Sequence, residues 1–255
     1  MADLRADSSI LTDRSALFLD FDGTLVDIAP TPDAVVVAPE LPGLLAGIGD
    51  WLGGAVAIVP GRPISGIDHF LPGLLLDACG MHGLERRVRG EVSLPEELAD
   101  LSPAIAQLRT RLAAYPGLIV EDKRVGVAVH WRMAPQAERA ARAAIDELAA
   151  DLGAAYKIQE GKAVREIVPS RAGKGEAIRA LMRLDPYSGR RPVFVGDDKT
   201  DEHGFEAVNE LGGVTVKIGP GETLASHRLP SPTDFRELVS TWLQGRADLV
   251  PRVSG

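Results

Sequence analysis

The sequence predicts an α/β fold with a parallel sheet and an inserted α+β domain, and two patterns support this. Five apolar segments have the composition of buried strands and alternate with helical stretches: residues 16–21, 55–59, 74–78, 192–195 and 214–218. Between residues 92 and 169 the order changes to helix, two strands, helix, two strands. We therefore predict a core domain of residues 1–91 and 170–255 and an inserted cap domain of residues 92–169.

The first strand is apolar on both faces, which is typical of a central parallel strand. It runs into Asp20 and Asp22, and Gly23 and Thr24 end it. Two later strands also end in polar, proline or glycine residues, at positions 60–62 and 196–198. Because ligands bind open parallel sheets at the carboxyl ends of the strands, we expect these three ends to converge on one site.

Within the cap, periodicity predicts two helices, over 103–114 and 135–152, and four strands, over 118–122, 125–131, 155–159 and 163–168, the last two joined by a turn at 160–162. The boundaries at 90–93 and 169–171 are polar or contain proline, which favours hinges. The tail after Gly245 has no periodicity, and we expect it to be disordered.

The chain has 255 residues, enough for one large domain or two modest ones. Its 28 basic and 36 acidic side chains give a net charge of −8, which argues against nucleic acid as the main partner. A membrane role is not expected, because no apolar run approaches about 20 residues and acids stand where a signal peptide needs a basic end. The single cysteine, Cys79, excludes an internal disulfide and a multi-thiolate zinc site and predicts a cytoplasmic location.

The pair Asp20 and Asp22 suits covalent phosphoryl transfer. Asp20 would attack phosphorus, and Asp22 would protonate the leaving oxygen and later take a proton from water. Gly23 would let the backbone approach a phosphate, and the hydroxyl of Thr24 would bind it. For this motif alone, a strand end with two solvated acids stays open as an alternative.

The segment Asp20-Phe21-Asp22-Gly23-Thr24, following a buried strand, resembles the first motif of the haloacid dehalogenase superfamily. Over about residues 16–243 the chain is similar to the trehalose-6-phosphate phosphatase family within that superfamily. The resemblance implies a Rossmann-like core of the haloacid dehalogenase type with a cap that recognises the substrate. It also implies a monomeric, magnesium-dependent phosphatase that converts trehalose 6-phosphate to trehalose and phosphate.

A second acidic cluster at positions 197–202 holds four acids within six residues, which repel one another unless a cation lies among them. It closely resembles the last motif of the family. The predicted Mg²⁺ ligands are Asp20, the backbone carbonyl of Asp22, and Asp197, with Asp198 and Asp201 orienting them. Taken alone, the cluster is equally explained as an acidic first turn for a helix over 202–211.

Lys174 lies at the predicted start of a helix, where a lysine opposes the helix dipole. The resemblance assigns it to pair with Asp20 and the phosphoryl oxygens, and a solvated surface lysine is the alternative. In the family's second motif a serine or threonine precedes Gly-Arg, whereas this chain has Pro60 before Gly61 and Arg62. Proline removes up to two donors, which leaves Gly61 and Arg62 as the predicted phosphate-binding residues. The planar fork of Arg62 would support either the motif itself or the substrate.

Polar residues interrupt the predicted cap strands, which suits sugar hydroxyls because each offers a donor and an acceptor. From their similarity to the family's sugar-binding pattern, the predicted substrate contacts are His82, Glu121, Lys123, Arg132, Lys162 and Glu166. Surface ion pairs are the alternative for each of them. The other histidines, among them His130, share no ligand spacing and predict surface or packing roles.

Two other functions stay open. One is a phosphatase of another sugar phosphate, such as sucrose phosphate or a glycosyl-phosphoglycerate. The other is a catalytically impaired regulatory subunit that binds a sugar phosphate, and Pro60 alone supports it. The presence of a nucleophile, an acid, a lysine and a metal ligand together argues against mere binding.

Overall fold

A computed structural model describes residues 10–29, 34–93, 100–123, 126–161, 163–170 and 172–247. The described residues form two compact units. Those within Met1–Leu94 and Gly173–Gly255 form the core unit, and those within Pro95–Ala172 form the cap unit.

The strands are β1 (Ser15–Leu19), β2 (Val56–Ile58), β3 (Asp77–Cys79), β4 (Glu85–Val88), β5 (Glu91–Ser93), β6 (Ile119–Asp122), β7 (Val127–His130), β8 (Tyr156–Gly161), β9 (Val164–Pro169), β10 (Arg191–Gly196), β11 (Val214–Ile218) and β12 (His227–Leu229). The α-helices are α1 (Leu41–Trp51), α2 (Ile64–Phe70), α3 (Gly80–Gly83), α4 (Ser102–Leu112), α5 (Glu138–Leu152), α6 (Lys174–Leu181), α7 (Glu202–Glu210) and α8 (Pro232–Ala247). Short 3₁₀ turns cover Pro135–Ala137 and Gly153–Ala155.

The core unit is built on an eight-stranded sheet in the order β12-β11-β10-β1-β2-β3-β4-β5. From β12 to β3 neighbouring strands are parallel, and β4 and β5 join as antiparallel strands. All five residues of β1 are buried, as expected for a strand between two neighbours with helices on both faces. The predicted α/β fold with a parallel sheet is confirmed.

Several predicted bounds differ in the core unit. The third strand begins at Asp77 and not at position 74, and the preceding Leu75 is 77% exposed. Residues Glu91–Ser93, where the sequence predicts a hinge, pair as an edge strand. The disordered tail predicted after Gly245 is wrong for its first residues, because α8 continues to Ala247. The rest of that tail lies outside the described residues.

The cap unit contains an antiparallel sheet in the order β6-β7-β9-β8. Val127, Val129 and Ile167 on one face pack with Ile105 of α4 and Ile145 of α5 into a separate core. The opposite face is defined by the register, which places Glu121, Ala128, Glu166 and Gln159 in one row across the four strands. We call this second face the polar face of the cap sheet.

Among the residues that the structure describes, we find no helix with the length and apolar character needed to cross a bilayer.

Candidate active site

The site begins where two neighbouring parallel strands end together. Asp20 follows β1 and Asp197 follows β10, and the register pairs Leu19 with Val195 just before them. The amide of Asp20 donates to the carbonyl of Val195 at 3.0 Å, which extends the pairing by one residue. Two carboxylates therefore meet at the carboxyl edge of the sheet, as the sequence predicts.

Lys174 joins this pair from the first residue of α6. Its Nζ donates to Oδ1 of Asp20 and to Oδ1 of Asp201, in each case at 2.6 Å. Only 2% of the Lys174 side chain is exposed, so the solvated lysine that the sequence left open is excluded. A buried ammonium is stable here because two carboxylates surround it.

The segment after Asp197 folds around the carboxylate of Asp201. Oδ2 of Asp201 accepts the amides of Asp197 and Asp198, each at 2.9 Å. Oδ1 of Asp198 accepts the amides of Thr200 and Asp201. Asp198 and Asp201 thus hold the backbone of residues 197–201, and the orienting role at a metal site stays a prediction for both.

Burial and mutual repulsion act on the acids of this cluster. Burial raises the pKa of Asp20 to about 6, although Lys174 lowers it. Burial also raises the pKa of Asp197 to about 6, and the nearby Asp201 and Asp198 add to the rise. Burial, with the charge of Asp20, raises the pKa of Asp201 to about 7. The carboxylates of Asp20 and Asp201 raise the pKa of Lys174 despite its burial, so the ammonium stays charged.

These acids fit a divalent cation. One carboxylate oxygen from each of Asp20, Asp197 and Asp201 lies within 4.8 Å of the others. Oxygens of this kind are the ligands that hard divalent cations prefer, and a cation would offset the repulsion that adds to the effect of burial on the three pKa values. Both oxygens of Asp201 already accept hydrogen bonds. Among the described residues, Oδ2 of Asp20 and Oδ1 of Asp197 accept only the long contacts from the Thr24 hydroxyl, at 3.4 and 3.5 Å, so Asp20 and Asp197 offer the carboxylate oxygens best suited to a metal.

Gly23 is required by the closeness of Asp197. Its φ is +80°, and a Cβ atom at this position would lie 2.1 Å from Oδ2 of Asp197. A side chain is therefore excluded by sterics as well as by the backbone angle. The hydroxyl of the next residue, Thr24, is fully buried and lies 3.4 Å from Oδ2 of Asp20 and 3.5 Å from Oδ1 of Asp197.

Arg62, from the loop after β2, contacts Asp22. Its Nε donates to Oδ2 of Asp22 at 2.6 Å, and its Nη2 forms an ion pair with Oδ1 of the same carboxylate. In the same loop Pro60 is buried and Gly61 is exposed. The three strand ends predicted to converge thus come together. Arg62, predicted as a phosphate ligand, contacts the carboxylate of Asp22, the predicted general acid.

On the polar face of the cap sheet, Lys123 lies 3.3 Å from Glu166 and 3.6 Å from Glu121. Glu121 also lies 2.8 Å from Nε2 of His130. We call these four residues the cap cluster. Of the other predicted sugar contacts, Arg132 is exposed beyond the end of β7, Lys162 lies outside the described residues, and so does the side chain of His82.

Comparison with known proteins places this chain in a family. The family model described as trehalose-phosphatase matches residues 18–233, from the strand that carries Asp20 to the start of α8. The chain belongs to the trehalose-phosphatase family. The trehalose-6-phosphate phosphatase of Escherichia coli (strain K12) is 41% identical over 246 residues, which cover 93% of this chain and 91% of that protein.

Solved structures extend the comparison of this trehalose-phosphatase family member to its fold. The crystal structure of a trehalose-6-phosphate phosphatase related protein has a TM-score of 0.73 and 26% identity, covering 92% of this chain and 99% of that one. A haloacid dehalogenase-like hydrolase from Bacteroides thetaiotaomicron, at 12% identity, shares the fold with a TM-score of 0.65 over 88% of this chain and 97% of that one. The resemblance drawn from the sequence motifs is confirmed.

In this member of the trehalose-phosphatase family, two further residues contact groups described above, and sequence reasoning did not single them out. His130 is partly exposed, which agrees with the surface or packing role predicted for it, and its alternation with Ala128 along β7 places it on the polar face, where it contacts Glu121. Lys217 is 5% exposed, and its Nζ donates a hydrogen bond to the backbone carbonyl of Asp197. The available signal was its position as the one charged residue in the apolar strand β11.

Proposed function

We propose that this chain hydrolyses trehalose 6-phosphate to trehalose and phosphate through an aspartyl-phosphate on Asp20. The observation that carries the proposal is the buried Asp20 held between Lys174 and Asp197 at the carboxyl edge of the sheet. The substrate is supported by the identity to the Escherichia coli trehalose-6-phosphate phosphatase, which extends over nearly the whole of both chains.

The reaction follows from the positions of two aspartates. A carboxylate oxygen of Asp20 attacks phosphorus, the bond from phosphorus to the sugar oxygen breaks, and Asp22 gives that oxygen its proton. Water then attacks the phosphorus of the aspartyl-phosphate, and Asp22 takes a proton from the water. The bond between phosphorus and Asp20 breaks, which releases phosphate and restores the carboxylate. Lys174 balances the charge of Asp20 and of the phosphoryl group during both steps.

We propose Mg²⁺ as the cation of this site, held by Asp20, Asp197 and the backbone carbonyl of Asp22. When bound, it would neutralise charge on the phosphoryl group and on the carboxylates. Asp198 and Asp201 would keep the segment of Asp197 in place by their hydrogen bonds to its backbone.

For the sugar we propose the cap cluster, with Glu121, Lys123 and Glu166 as its main contacts. The ammonium of Lys123 lies at ion-pairing distance from both carboxylates on one sheet face, so the three side chains together offer donors and acceptors to a sugar hydroxyl. A monomeric state and a cytoplasmic location remain predictions from the sequence.

The experiment that tests the function is phosphate release by the purified chain from trehalose 6-phosphate, sucrose phosphate and a glycosyl-phosphoglycerate, each with Mg²⁺ and with a chelator. We expect the highest kcat/KM with trehalose 6-phosphate, and loss of turnover in the chelator. A higher kcat/KM with another sugar phosphate would overturn the substrate. Calorimetric binding of trehalose 6-phosphate without any turnover in Mg²⁺ would favour the regulatory subunit.

A further inference from the structure

The side chain of Asp22 is held at two points. Nε and Nη2 of Arg62 approach the two oxygens of its carboxylate from one side. The Asp22 side chain is 36% exposed, so burial alone does not fix its rotamer. A two-point contact with a planar guanidinium sets both the position and the plane of the carboxylate.

Two aromatic rings hold the guanidinium of Arg62 in place. Its guanidinium carbon lies 5.8 Å from the centre of the Phe21 ring and 5.2 Å from that of Phe70. Both distances are in the range of cation–π contacts. Phe21 stands between Asp20 and Asp22 in the chain, so the same segment supplies the carboxylate and one wall of the arginine's pocket.

The backbone of Arg62 is fixed by α3 and β4. Its carbonyl accepts the amide of Met81 at 3.1 Å, and Oε2 of Glu85 accepts the amide of Ile64 at 2.7 Å. A Cβ atom on Gly80 would lie 2.9 Å from the Arg62 carbonyl, from the Ile64 amide and from Oε2 of Glu85. Close packing that only glycine permits therefore holds the loop at the point where Arg62 leaves it.

We propose that Arg62 is a positioning residue that aims Asp22 at the leaving oxygen, and not a ligand of the transferred phosphate. Two of the five N–H donors of the guanidinium, one on Nε and one on Nη2, are directed at Asp22 and are not available to a phosphoryl oxygen while that contact lasts. Proton transfer needs the acid within about 2.6 to 3.2 Å of the oxygen that receives the proton, so an untethered carboxylate would lose productive geometry. The inference rests on the proposed function, because it takes Asp22 as the general acid.

The two roles predict different dependence on the leaving group. The sugar oxygen of trehalose 6-phosphate is a poor leaving group and needs a proton, whereas p-nitrophenolate leaves without one. A residue that acts through Asp22 therefore matters chiefly for the sugar phosphate. A residue that binds the phosphoryl group matters equally for both substrates.

The test compares the full-length wild type with Arg62→Ala, Arg62→Lys, Asp22→Asn and the double variant Arg62→Ala/Asp22→Asn. The matched control is Arg183→Ala, which removes an exposed arginine of the core unit. The ratio kcat/KM is measured on both substrates, by single turnover for slow variants, because it reports the first irreversible step. Circular dichroism melting of each variant checks the fold.

We expect Arg62→Ala to lower kcat/KM for trehalose 6-phosphate at least about tenfold more than for p-nitrophenyl phosphate, since general acid catalysis contributes about a hundredfold or more. If Arg62→Ala folds, kcat/KM of Arg62→Lys for trehalose 6-phosphate should lie between those of the wild type and Arg62→Ala. If Arg62→Ala does not fold, Arg62→Lys should itself lose kcat/KM selectively for trehalose 6-phosphate. On the Asp22→Asn background, Arg62→Ala should change kcat/KM for trehalose 6-phosphate by less than about twofold.

Equal losses on both substrates, a raised inhibition constant for inorganic phosphate, or an additive loss on the Asp22→Asn background would each overturn the inference. Failure of the proposed function looks different. In that case the wild type itself would not hydrolyse trehalose 6-phosphate, and the same comparison would be made with another alkyl phosphate that it does hydrolyse.

Discussion

The ammonium of Lys174 lies 2.6 Å from a carboxylate oxygen of Asp20, where only 2% of the lysine side chain and 6% of the aspartate side chain are exposed. The lysine charge is stable in this place because two buried carboxylates share it, so Asp201 still pairs with Lys174 when Asp20 is removed. The pair therefore couples the stability of the core unit to its chemistry.

Lys174→Met should destabilise the protein, because it leaves two buried carboxylates without their cation. We expect a loss of about 3 to 5 kcal/mol in the free energy of unfolding, together with loss of turnover. Urea unfolding at pH 7.5 without metal measures it, with Lys199→Met as an exposed lysine control. A loss below about 1 kcal/mol in the free energy of unfolding would show that the two carboxylates do not depend on the lysine for their stability.

Asp20→Asn should abolish turnover without lowering stability. The amide cannot attack phosphorus, while it removes a carboxylate whose pKa burial has raised, so the melting temperature at pH 7.5 without metal should stay level or rise. Asp22→Asn should also stop turnover, because the amide cannot transfer a proton. Retention of more than about a tenth of the rate by Asp20→Asn, a loss under about 1.4 kcal/mol, would contradict the covalent mechanism.

The stability of the metal-free protein should fall as the pH rises from about 4 to about 7. Burial raises the folded-state pKa values of Asp20, Asp197 and Asp201 to about 6, 6 and 7 from the ordinary aspartate value of 3.8. Between those limits the folded state binds more protons than the unfolded state, so these groups contribute stability below their unfolded pKa and lose it as the pH passes the folded one.

Mg²⁺ should restore that stability chiefly at the higher pH, where the acids are ionised and can bind it. Thermal melting with and without Mg²⁺ at pH 5 and pH 7.5 measures the difference. The stabilisation by Mg²⁺ should be larger at pH 7.5 and should shrink in Asp197→Asn. An equal shift at both pH values would show that these acids do not hold the metal.

Substitutions in the cap cluster should act on the sugar. We expect Glu121→Ala, Lys123→Ala and Glu166→Ala each to lower kcat/KM for trehalose 6-phosphate far more than for p-nitrophenyl phosphate, which has no sugar to lose. The control is Glu160→Ala, because Glu160 pairs with Arg142 and Arg165, away from the polar face. Equal losses on both substrates would assign the three residues to the fold.

Pro60→Ser should raise activity. A hydrogen bond to a charged phosphate oxygen contributes about 1.5 to 3 kcal/mol, which corresponds to roughly ten- to a hundredfold in rate. Steady-state kinetics of wild type and Pro60→Ser on trehalose 6-phosphate in saturating Mg²⁺ measure the gain. An unchanged or lower kcat/KM in a folded variant would mean that this chain does not need the hydroxyl.

The sequence predicts the meeting of Asp20 and Asp197 because it depends on a general property of parallel sheets. Apolar strands without charges can be recognised from the sequence, and the carboxyl ends of parallel strands lie at the same edge of the sheet. The strand β4 cannot be predicted in this way, because its charged residues are not typical of a buried strand. Arg87 in it is 4% exposed only because Asp68, distant in the chain, pairs with it.

The direction of Arg62 was beyond the sequence for the same reason. Its motif indicates a phosphate ligand, but its side chain is aimed by two aromatic rings and by the packing of Gly80 and Glu85 against its loop. Those partners come from separate segments, and their contact is a product of the tertiary fold. Likewise, periodicity alone predicts that Glu121 and Lys123 share a face, but not that His130 completes their cluster.

Gly23 shows how a position without a side chain carries the specificity of a whole site. Because the carboxylate of Asp197 fills the space that a Cβ atom would need, any replacement would force that acid or the loop of Gly23 out of its present position. In a library of all single substitutions, position 23 would therefore have the tolerance profile of a catalytic residue, although it has no functional group. The role of Gly23 is to leave room for Asp197 beside Asp20.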